Sequence, residues 1–232
     1  MKTTITQGKV KTVFSTDETE TVLIQYEDKV TAGNGRQVDF PEGKGEVCCK
    51  ISECLFQLLE LNGIDTHYIN MPTHQAMACK RVEIIPIEVV VRNVAAGSIC
   101  RQTTIEEGTV LSEPLVEFYL KDDDKDDPLL TEDRIALMKF TNIGTNLNLL
   151  KALAREINAI LTETFKDIGL TLVDFKLEFG YDSRQNILVA DELSPDSMRL
   201  WKDGKSFDKD LFRKGQGDIV EAYNTILDSL QS

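Results

Sequence analysis

Asp174, Lys176 and Glu178 alternate with Val173, Phe175, Leu177 and Phe179 in the segment LVDFKLEF, residues 172–179. Alternate residues of a strand share a face. Two carboxylates and an ammonium therefore project together from a strand whose other side is fit for a core. The next apolar run, residues 187–190, follows a turn-forming segment, Asp182-Ser183-Arg184-Gln185-Asn186, and ends at Asp191-Glu192. With residues 183–186 as a four-residue hairpin loop, Glu178 and Asp191 face each other across the ladder. Facing carboxylates, with Cβ atoms only about 5 Å apart, repel unless water screens them or a cation lies between. Two carboxylates beside a lysine suit Mg²⁺ carrying phosphate.

Other segments offer grips for oxyanions. In residues 84–98, IIPIEVVVRNVAAGS, Glu88, Val90 and Arg92 share one face of a very apolar strand. A buried Glu88–Arg92 pair explains that pattern. So does a functional reading in which Arg92 forks an oxyanion and Gly97-Ser98 supplies a backbone and hydroxyl grip. Spacing alone leaves both open. Ser194, Ser197 and Arg199 form another Ser/Arg cluster, and Gly8-Lys9-Val10-Lys11 puts two lysines on one strand face where glycine permits close approach. The chain contains no GxxxxGK[ST] phosphate loop and no GxGxxG string.

The 232 residues, 41% hydrophobic and 28% charged, suit one large or two small soluble domains. A formal charge of −13 argues against nucleic acid or an anionic membrane as partner, while lysines gathered in one cleft can still bind a small anion. No run approaches the roughly 20 apolar residues of a membrane span. The first residues, MKTTITQGKVKTVFS, lack the apolar stretch of a secretion signal. Cys48, Cys49, Cys54, Cys79 and Cys100 have no CxxC spacing and read as reduced thiols of a cytoplasmic protein. His67 reads as structural and His74 as a surface residue; neither pairs with a cysteine at zinc-ligand spacing.

The elements that must carry these groups are strands at 9–15, 21–26 and 82–91, the last broken at Pro86, and a helix at 45–61 ended by Asn62-Gly63. Residues 117–127, EFYLKDDDKDD, read as a solvated loop closed by Pro128. A helix at 147–168 buries Leu150, Leu153, Ile157, Ile160, Leu161 and Phe165, and a last helix spans 219–230. Helices on a mainly antiparallel sheet give an α+β class. A boundary near residue 80 divides residues 1–80, mainly β, from a larger α+β lobe of residues 81–232, with a cleft between.

These segments resemble those of the phosphoribosylaminoimidazole-succinocarboxamide synthase (SAICAR synthetase) family over nearly the whole chain. The resemblance lies in Gly8-Lys9-x-Lys11, Thr31-Ala32-Gly33-Asn34-Gly35, Ile64-Asp65-Thr66-His67, the signatures of residues 84–98 and 172–180, Asp191-Glu192-x-Ser194-Pro195-Asp196-x-x-Arg199-Leu200-Trp201, and Asp208-Lys209-Asp210-x-Phe212-Arg213. It departs at the acidic loop after Phe118 and at the turn of residues 181–186, neither of which disturbs a candidate residue.

The resemblance implies a two-lobed SAICAR-synthase-like fold of antiparallel sheets flanked by helices, with ATP in the cleft beneath the N-terminal lobe and the metal and ribotide sites on the larger one. It implies a ligase of de novo purine (IMP) biosynthesis. ATP and Mg²⁺ would join the carboxylate of 5-amino-1-(5-phosphoribosyl)imidazole-4-carboxylate (CAIR) to the amine of L-aspartate through an acyl phosphate, giving SAICAR, ADP and phosphate. By the same resemblance Lys9 and Lys11 cover the ATP phosphates, while Glu178 and Asp191 hold Mg²⁺, with Asp127 at a second metal. Arg92, Ser98 and Arg199 bind the CAIR phosphate, Glu88 the aminoimidazole, and Lys176 lies beside that substrate. Lys121 sits near the transferring phosphoryl group, Asp174 orients Lys176 or a metal-bound water, and Arg213 serves aspartate. Partners are these small molecules alone, apart from a second copy in a homodimer. An ATP-dependent kinase or another carboxylate–amine ligase on a related two-lobed fold is the other enzymatic reading; a protein kinase would not need the Arg92-to-Ser98 and Arg199 grips, and HRD and DFG strings are absent. A nucleotide-binding regulator without turnover is the non-enzymatic reading.

Overall fold

The computed structural model of the chain describes residues 3–33, 35–138 and 143–232; Asn34 of the Thr31-to-Gly35 motif lies outside them. The chain begins with β1 (Thr4–Gln7), β2 (Lys11–Ser15), β3 (Thr21–Tyr26), and a small hairpin of β4 (Val30–Ala32) and β5 (Gln37–Asp39). Helix α1 (Lys44–Leu61) leads to the hairpin β6 (Tyr68–Thr73) and β7 (Ala76–Lys80). Next come β8 (Glu83–Val94), α2 (Ser98–Gln102), β9 (Val110–Leu120), β10 (Leu129–Leu130), α3 (Glu132–Leu137) and α4 (Ile143–Asp167). Then follow β11 (Thr171–Tyr181), β12 (Ile187–Ala190), β13 (Met198–Lys202), β14 (Lys205–Ser206), α5 (Asp210–Lys214) and α6 (Ile219–Leu230).

Among the described residues, β1-β2-β3-β7-β6 form one sheet and β10-β9-β8-β11-β13-β14 another, with β12 also paired to β11. The ladders at the centres of both sheets are antiparallel, as the α+β expectation requires. Helix α4 packs on β8, β9 and β11, whereas α1 packs on α6 and on the first sheet. The expected stripe of α4 faces inward: Leu150, Ile157, Leu161 and Phe165 are buried, and Leu153 and Ile160 pack partly buried against them. Each such side chain contributes about 1.5–3 kcal/mol, which outweighs the modest propensities of the β-branched residues among them. A single apolar cluster joins Val22 and Met77 of the first sheet, Ile51 of α1, and Phe175 and Leu161 of the second layer.

Three elements differ from expectation. Strand β8 passes through Pro86 without a break, because Pro86 falls where the β8–β11 register shifts, between the pairs Glu178↔Glu88 and Gly180↔Ile84. A proline, lacking an N–H, fits such an irregularity. The charge run at 117–127 is only partly loop. Its first residues end β9, with Phe118 and Tyr119 buried, and Asp123–Lys125 form one 3₁₀ turn. The β6–β7 hairpin carried no strong alternation in the sequence.

The five cysteines are unpaired, His67 is buried and His74 exposed, as read from the sequence. No described helix is long and apolar enough to cross a membrane.

Candidate functional site

The floor of the site is the β8–β11 ladder, where Arg92 lies opposite Asp174, Val90 opposite Lys176, and Glu88 opposite Glu178. Facing Glu88 and Glu178 would repel, but the Lys176 ammonium lies 2.8 Å from a carboxylate oxygen of each. Lys121, just past β9, donates to both oxygens of Glu178. Burial pushes the Glu178 carboxyl up, yet Lys176 and Lys121 outweigh it and hold it at about 2. Burial likewise opposes the Lys176 charge, and Glu178 and Glu88 overcome it, keeping that ammonium well above its usual value.

Asp191 does not face Glu178. The turn is one residue longer than expected, Asp182 to Asn186, and is closed by the Asp182 N–H on the Asn186 carbonyl at 3.0 Å. Asp182 Oδ1 also accepts from the Arg184 and Asn186 N–H groups. Glu178 therefore pairs with Ala190, and a one-residue slip would send Asp191 to the wrong face. The backbone corrects this. Asp191 adopts φ +65° where the chain leaves β12, on the edge of β11 that β13 takes over at Phe175↔Met198. Turned so, Asp191 accepts from Lys11 of β2 at 2.7 Å, and Glu192 accepts from the same ammonium at 2.8 Å. Burial lowers the Lys11 value and its two carboxylates raise it further, so the net shift is upward.

The arginines divide their work. A guanidinium has five N–H donors, and Arg92 uses all of them: on Glu117 (2.7 Å), Asp174 (2.7 Å), the Ala96 carbonyl (3.2 Å), Ser98 Oγ (2.7 Å) and Tyr119 OH (3.1 Å). Its acidic partners are Glu117 and Asp174; Glu88 belongs to Lys176. Arg199 donates to Asp174 at 2.7 Å and to Asp210 at 3.3 Å, leaving Nη2 without a protein acceptor among the described residues. Its guanidinium lies on the Gly97 backbone, where an added Cβ would come within 2.6 Å of Nη2. Asp174 thus holds two arginines and not Lys176, which corrects the first half of the expectation that it orients Lys176 or a metal-bound water. Strand neighbours two apart are separated by nearly 7 Å along the chain, and Arg92 sits directly across.

One cleft of about 680 Å³ is lined by Lys9, Lys11, Glu88, Arg92, Ser98, Lys121, Asp127, Asp174, Lys176, Glu178, Asp191, Arg199 and Arg213, so every candidate meets there. Lys9 pairs with Asp123 at 2.7 Å, Arg213 pairs with Asp210, and Asp127 accepts the Asp122 N–H at 2.8 Å. Sequence reasoning missed Arg101, Tyr119, Glu192, Asp196 and Lys209, which line the same cleft. Glu192 could have been found from its place beside Asp191. Lys209 stands one helical turn before Arg213, its ammonium 3.9 Å from Asp196, and burial pulls it below its usual value. Asp196 is itself held by Lys44 and Tyr223.

Among the described residues no three His, Cys, Asp or Glu side chains converge as a metal shell, so Asp127 does not join Glu178 and Asp191. Those two hard-oxygen donors on one cleft still fit Mg²⁺, which takes one or two carboxylates and completes its shell with water and phosphate.

A family model described as SAICAR synthetase matches residues 4–230. The phosphoribosylaminoimidazole-succinocarboxamide synthase of Trichormus variabilis is 48% identical over 227 residues, covering 95% of this chain and 92% of the relative. The crystal structure of that enzyme from Ehrlichia chaffeensis superposes with a TM-score of 0.94 at 37% identity, covering 99% and 98% of the two chains. A SAICAR synthetase in complex with ADP gives 0.92 at 35% identity, covering 97% and 96%. The chain belongs to the SAICAR synthetase family.

Proposed function

We propose a division of labour in the cleft for the reaction that this ligase of purine biosynthesis performs, the ATP-dependent condensation of CAIR with L-aspartate. The observation that carries it is the gathering of Lys11, Lys121, Lys176 and Arg199 around Glu88, Asp174, Glu178, Asp191 and Glu192 in one cleft. Two polyanions can meet there. A CAIR carboxylate oxygen attacks the ATP γ-phosphorus, ADP leaves, and an acyl phosphate forms. The neutral aspartate amine then attacks the acyl carbon and phosphate leaves, so the amide replaces a bond that carboxylate alone could not exchange.

Lys9 and Lys11, from the first sheet, take the nucleotide phosphates, and Lys121 lies at the transferring group. Glu178 and Asp191 would hold Mg²⁺, which neutralises phosphate charge when bound. Asp127 stands near the CAIR carboxylate. Arg199 and Ser98 take the CAIR phosphate, with Arg92 as the brace that fixes both Ser98 and Asp174. Glu88 and Lys176 face the aminoimidazole. Arg213, with Lys209 one turn away and Arg101 at the cleft wall, is left for the carboxylates of aspartate. Residues 1–80 act as the nucleotide-covering lobe and 81–232 as the lobe that carries the ribotide, in a cytoplasmic homodimer.

The test is ADP release with Mg²⁺-ATP, CAIR and L-aspartate, omitting each in turn. ADP that requires all three, with one succinocarboxamide per ADP, is expected. ADP formed without aspartate would point to a kinase-like half-reaction, and none under any condition would leave only a binding protein.

A further inference from the structure

The condensation consumes aspartate as a neutral amine, whereas free aspartate carries an ammonium, so a base must take a proton in the cleft. Such a base has to reach the cleft near Arg213 and has to be free of a tight bond to another acid. Lys209, the residue before α5, meets both conditions. Its backbone is fixed on two sides: the N–H donates to the Pro195 carbonyl at 3.3 Å, and the carbonyl accepts from the Arg213 N–H at 3.1 Å. Its side chain is only 12% exposed and lines the same cleft as Arg101 and Arg213.

The acids around Lys209 are already engaged. Asp196 lies 3.9 Å from Nζ, beyond hydrogen-bond reach, and its two oxygens accept from Lys44 of α1 and, at 2.9 Å, from the Tyr223 hydroxyl of α6. Glu192 accepts from Lys11 and from Ser194, each at 2.8 Å. Asp208 accepts the Leu200 and Asp210 N–H groups at 2.9 and 2.7 Å. Asp210 is held by Arg199 at 3.3 Å and by Arg213. Strand β4, which packs on α5, brings only Val30, Thr31 and Ala32. By contrast, Lys11 and Lys176 each donate to two carboxylates at 2.7–2.8 Å. A buried ammonium short of acceptors shifts toward the neutral amine. Burial lowers the Lys209 value, Lys44 and Arg213 add to that, and Asp196 and Glu192 oppose it without reversing it.

We propose that Lys209 is the catalytic base of the second step, taking a proton from the aspartate ammonium. An N–H bond of aspartate breaks, a new one forms on Nζ, and the freed electron pair makes the C–N bond to the acyl carbon. The C–O bond to phosphate then breaks, one of the two remaining amine protons leaves with the phosphate, and Lys209 gives its proton to water. Transfer between two amines matches base and acid in strength, which favours general base catalysis. The inference rests on the acyl-phosphate reading of the cleft, with Arg213 at the aspartate carboxylates.

The experiment compares Lys209→Arg, which keeps the cation, with Lys209→Gln, which removes it; neither accepts the proton. Turnover against pH, Michaelis constants for all three substrates and the melting temperature are read for each. Both variants should fold and lose about 100-fold or more in kcat, the scale of general base catalysis, with unchanged constants for ATP and CAIR. Wild-type kcat should level off with rising pH once Lys209 is neutral. That of Lys209→Gln should keep climbing as aspartate loses its own proton, and added ethylamine should restore part of it. Hydroxylamine is uncharged at neutral pH and needs no base. In place of aspartate it should give the hydroxamate of CAIR at a near wild-type rate in both variants. Near wild-type kcat in Lys209→Arg, a Lys209→Gln in which only the aspartate constant rises, or hydroxamate lost in step with SAICAR overturns the proposal. A wild-type enzyme that makes SAICAR but no hydroxamate would overturn the acyl-phosphate reading, and the proposal with it.

Discussion

Gly97→Ala isolates the half of the cleft proposed to take the ribotide. Gly97 has φ +68° and ψ −122°, a region that alanine enters at a cost of about 1–3 kcal/mol. Its new Cβ would stand 2.6 Å from Arg199 Nη2 and 2.9 Å from Cζ, so the guanidinium must withdraw. Arg199 is tied to Asp174 and Asp210, and moving it sacrifices at least one charge-assisted hydrogen bond of about 1.5–3 kcal/mol. At about 1.4 kcal/mol per tenfold, the Michaelis constant for CAIR should rise about 10- to 100-fold. The nucleotide groups are untouched, so the constant for ATP should not change. The strain itself should lower the melting temperature by about 2–12 °C, at 2–4 °C per kcal/mol for a chain of this size. Steady-state kinetics on Gly97→Ala, Arg199→Ala and the double variant read the result. If Gly97 acts through Arg199, the double variant is no worse than Arg199→Ala alone. Additive losses, or an ATP constant that rises while that for CAIR stays put, would refute the reasoning.

Glu178→Gln and Asp191→Asn should each abolish turnover through weakened Mg²⁺·ATP binding, and near-normal activity in both would remove the metal assignment. Lys44→Met should leave the buried Asp196 with only the Tyr223 hydroxyl and the more distant Lys209, because Lys44 and Asp196 are both nearly fully buried. Breaking one partner of such a pair costs about 3–5 kcal/mol, so thermal melts should show a large fall, and a small one would mean that water reaches Asp196. Burial raises the Asp196 carboxyl, but Lys44 and Lys209 prevail and hold it at about 2, below the unfolded value of about 3.9. A depressed carboxylate stabilises the fold above the unfolded value and loses that contribution as pH falls through the folded one. Denaturant melts between about pH 4 and pH 2 should show the loss, and Asp196→Asn should flatten it. Lys11→Arg should lose nucleotide turnover although the charge is kept; wild-type kinetics would show that charge alone suffices at that position.

The alternation in β11 announced the floor of the site, because period-two patterning survives any tertiary context that buries one face. The boundaries of β3, β12 and α6 were equally plain, set by turn residues next to apolar runs. What failed was register. A single extra turn residue moved Asp191 off the position opposite Glu178, and only a left-handed backbone at Asp191 returned its carboxylate to the cleft. No sequence pattern announces a positive φ at aspartate. Pairings were also illegible where they cross the sheets. Spacing left a Glu88–Arg92 pair along β8 as one of two open readings, whereas Lys176 takes Glu88 from the neighbouring strand and Glu117 takes Arg92 from the other. Lys209 was passed over because its desolvation comes from the packing of α5 near Asp196, not from its neighbours in the chain.

The two ends of the cleft are built from different cations, and the choice suits the role proposed for each. At the end proposed for the ribotide phosphate the cations are arginines with planar forks that the fold fixes in advance. Arg92 spends every donor, and Arg199 is pinned between Asp174, Asp210 and the Gly97 backbone. A phosphate ester that does not react needs such a preset cradle. Toward the proposed nucleotide end the cations are lysines, and two of them share an ammonium between carboxylates: Lys11 between Asp191 and Glu192, and Lys176, where nucleotide and aminoimidazole would meet, between Glu88 and Glu178. An ammonium is a compact charge on a flexible stem with rotatable donors, so it changes partner at little geometric cost. The carboxylates that hold these lysines, Glu178 and Asp191, are those proposed to hold Mg²⁺. Metal on the carboxylates and phosphate on the lysines are then one exchange: each ammonium released from an acid becomes available to an oxyanion, and each acid released becomes a ligand. An acidic chain can receive a polyanion on these terms, because the opposing charges are already paired and are traded as the substrates enter.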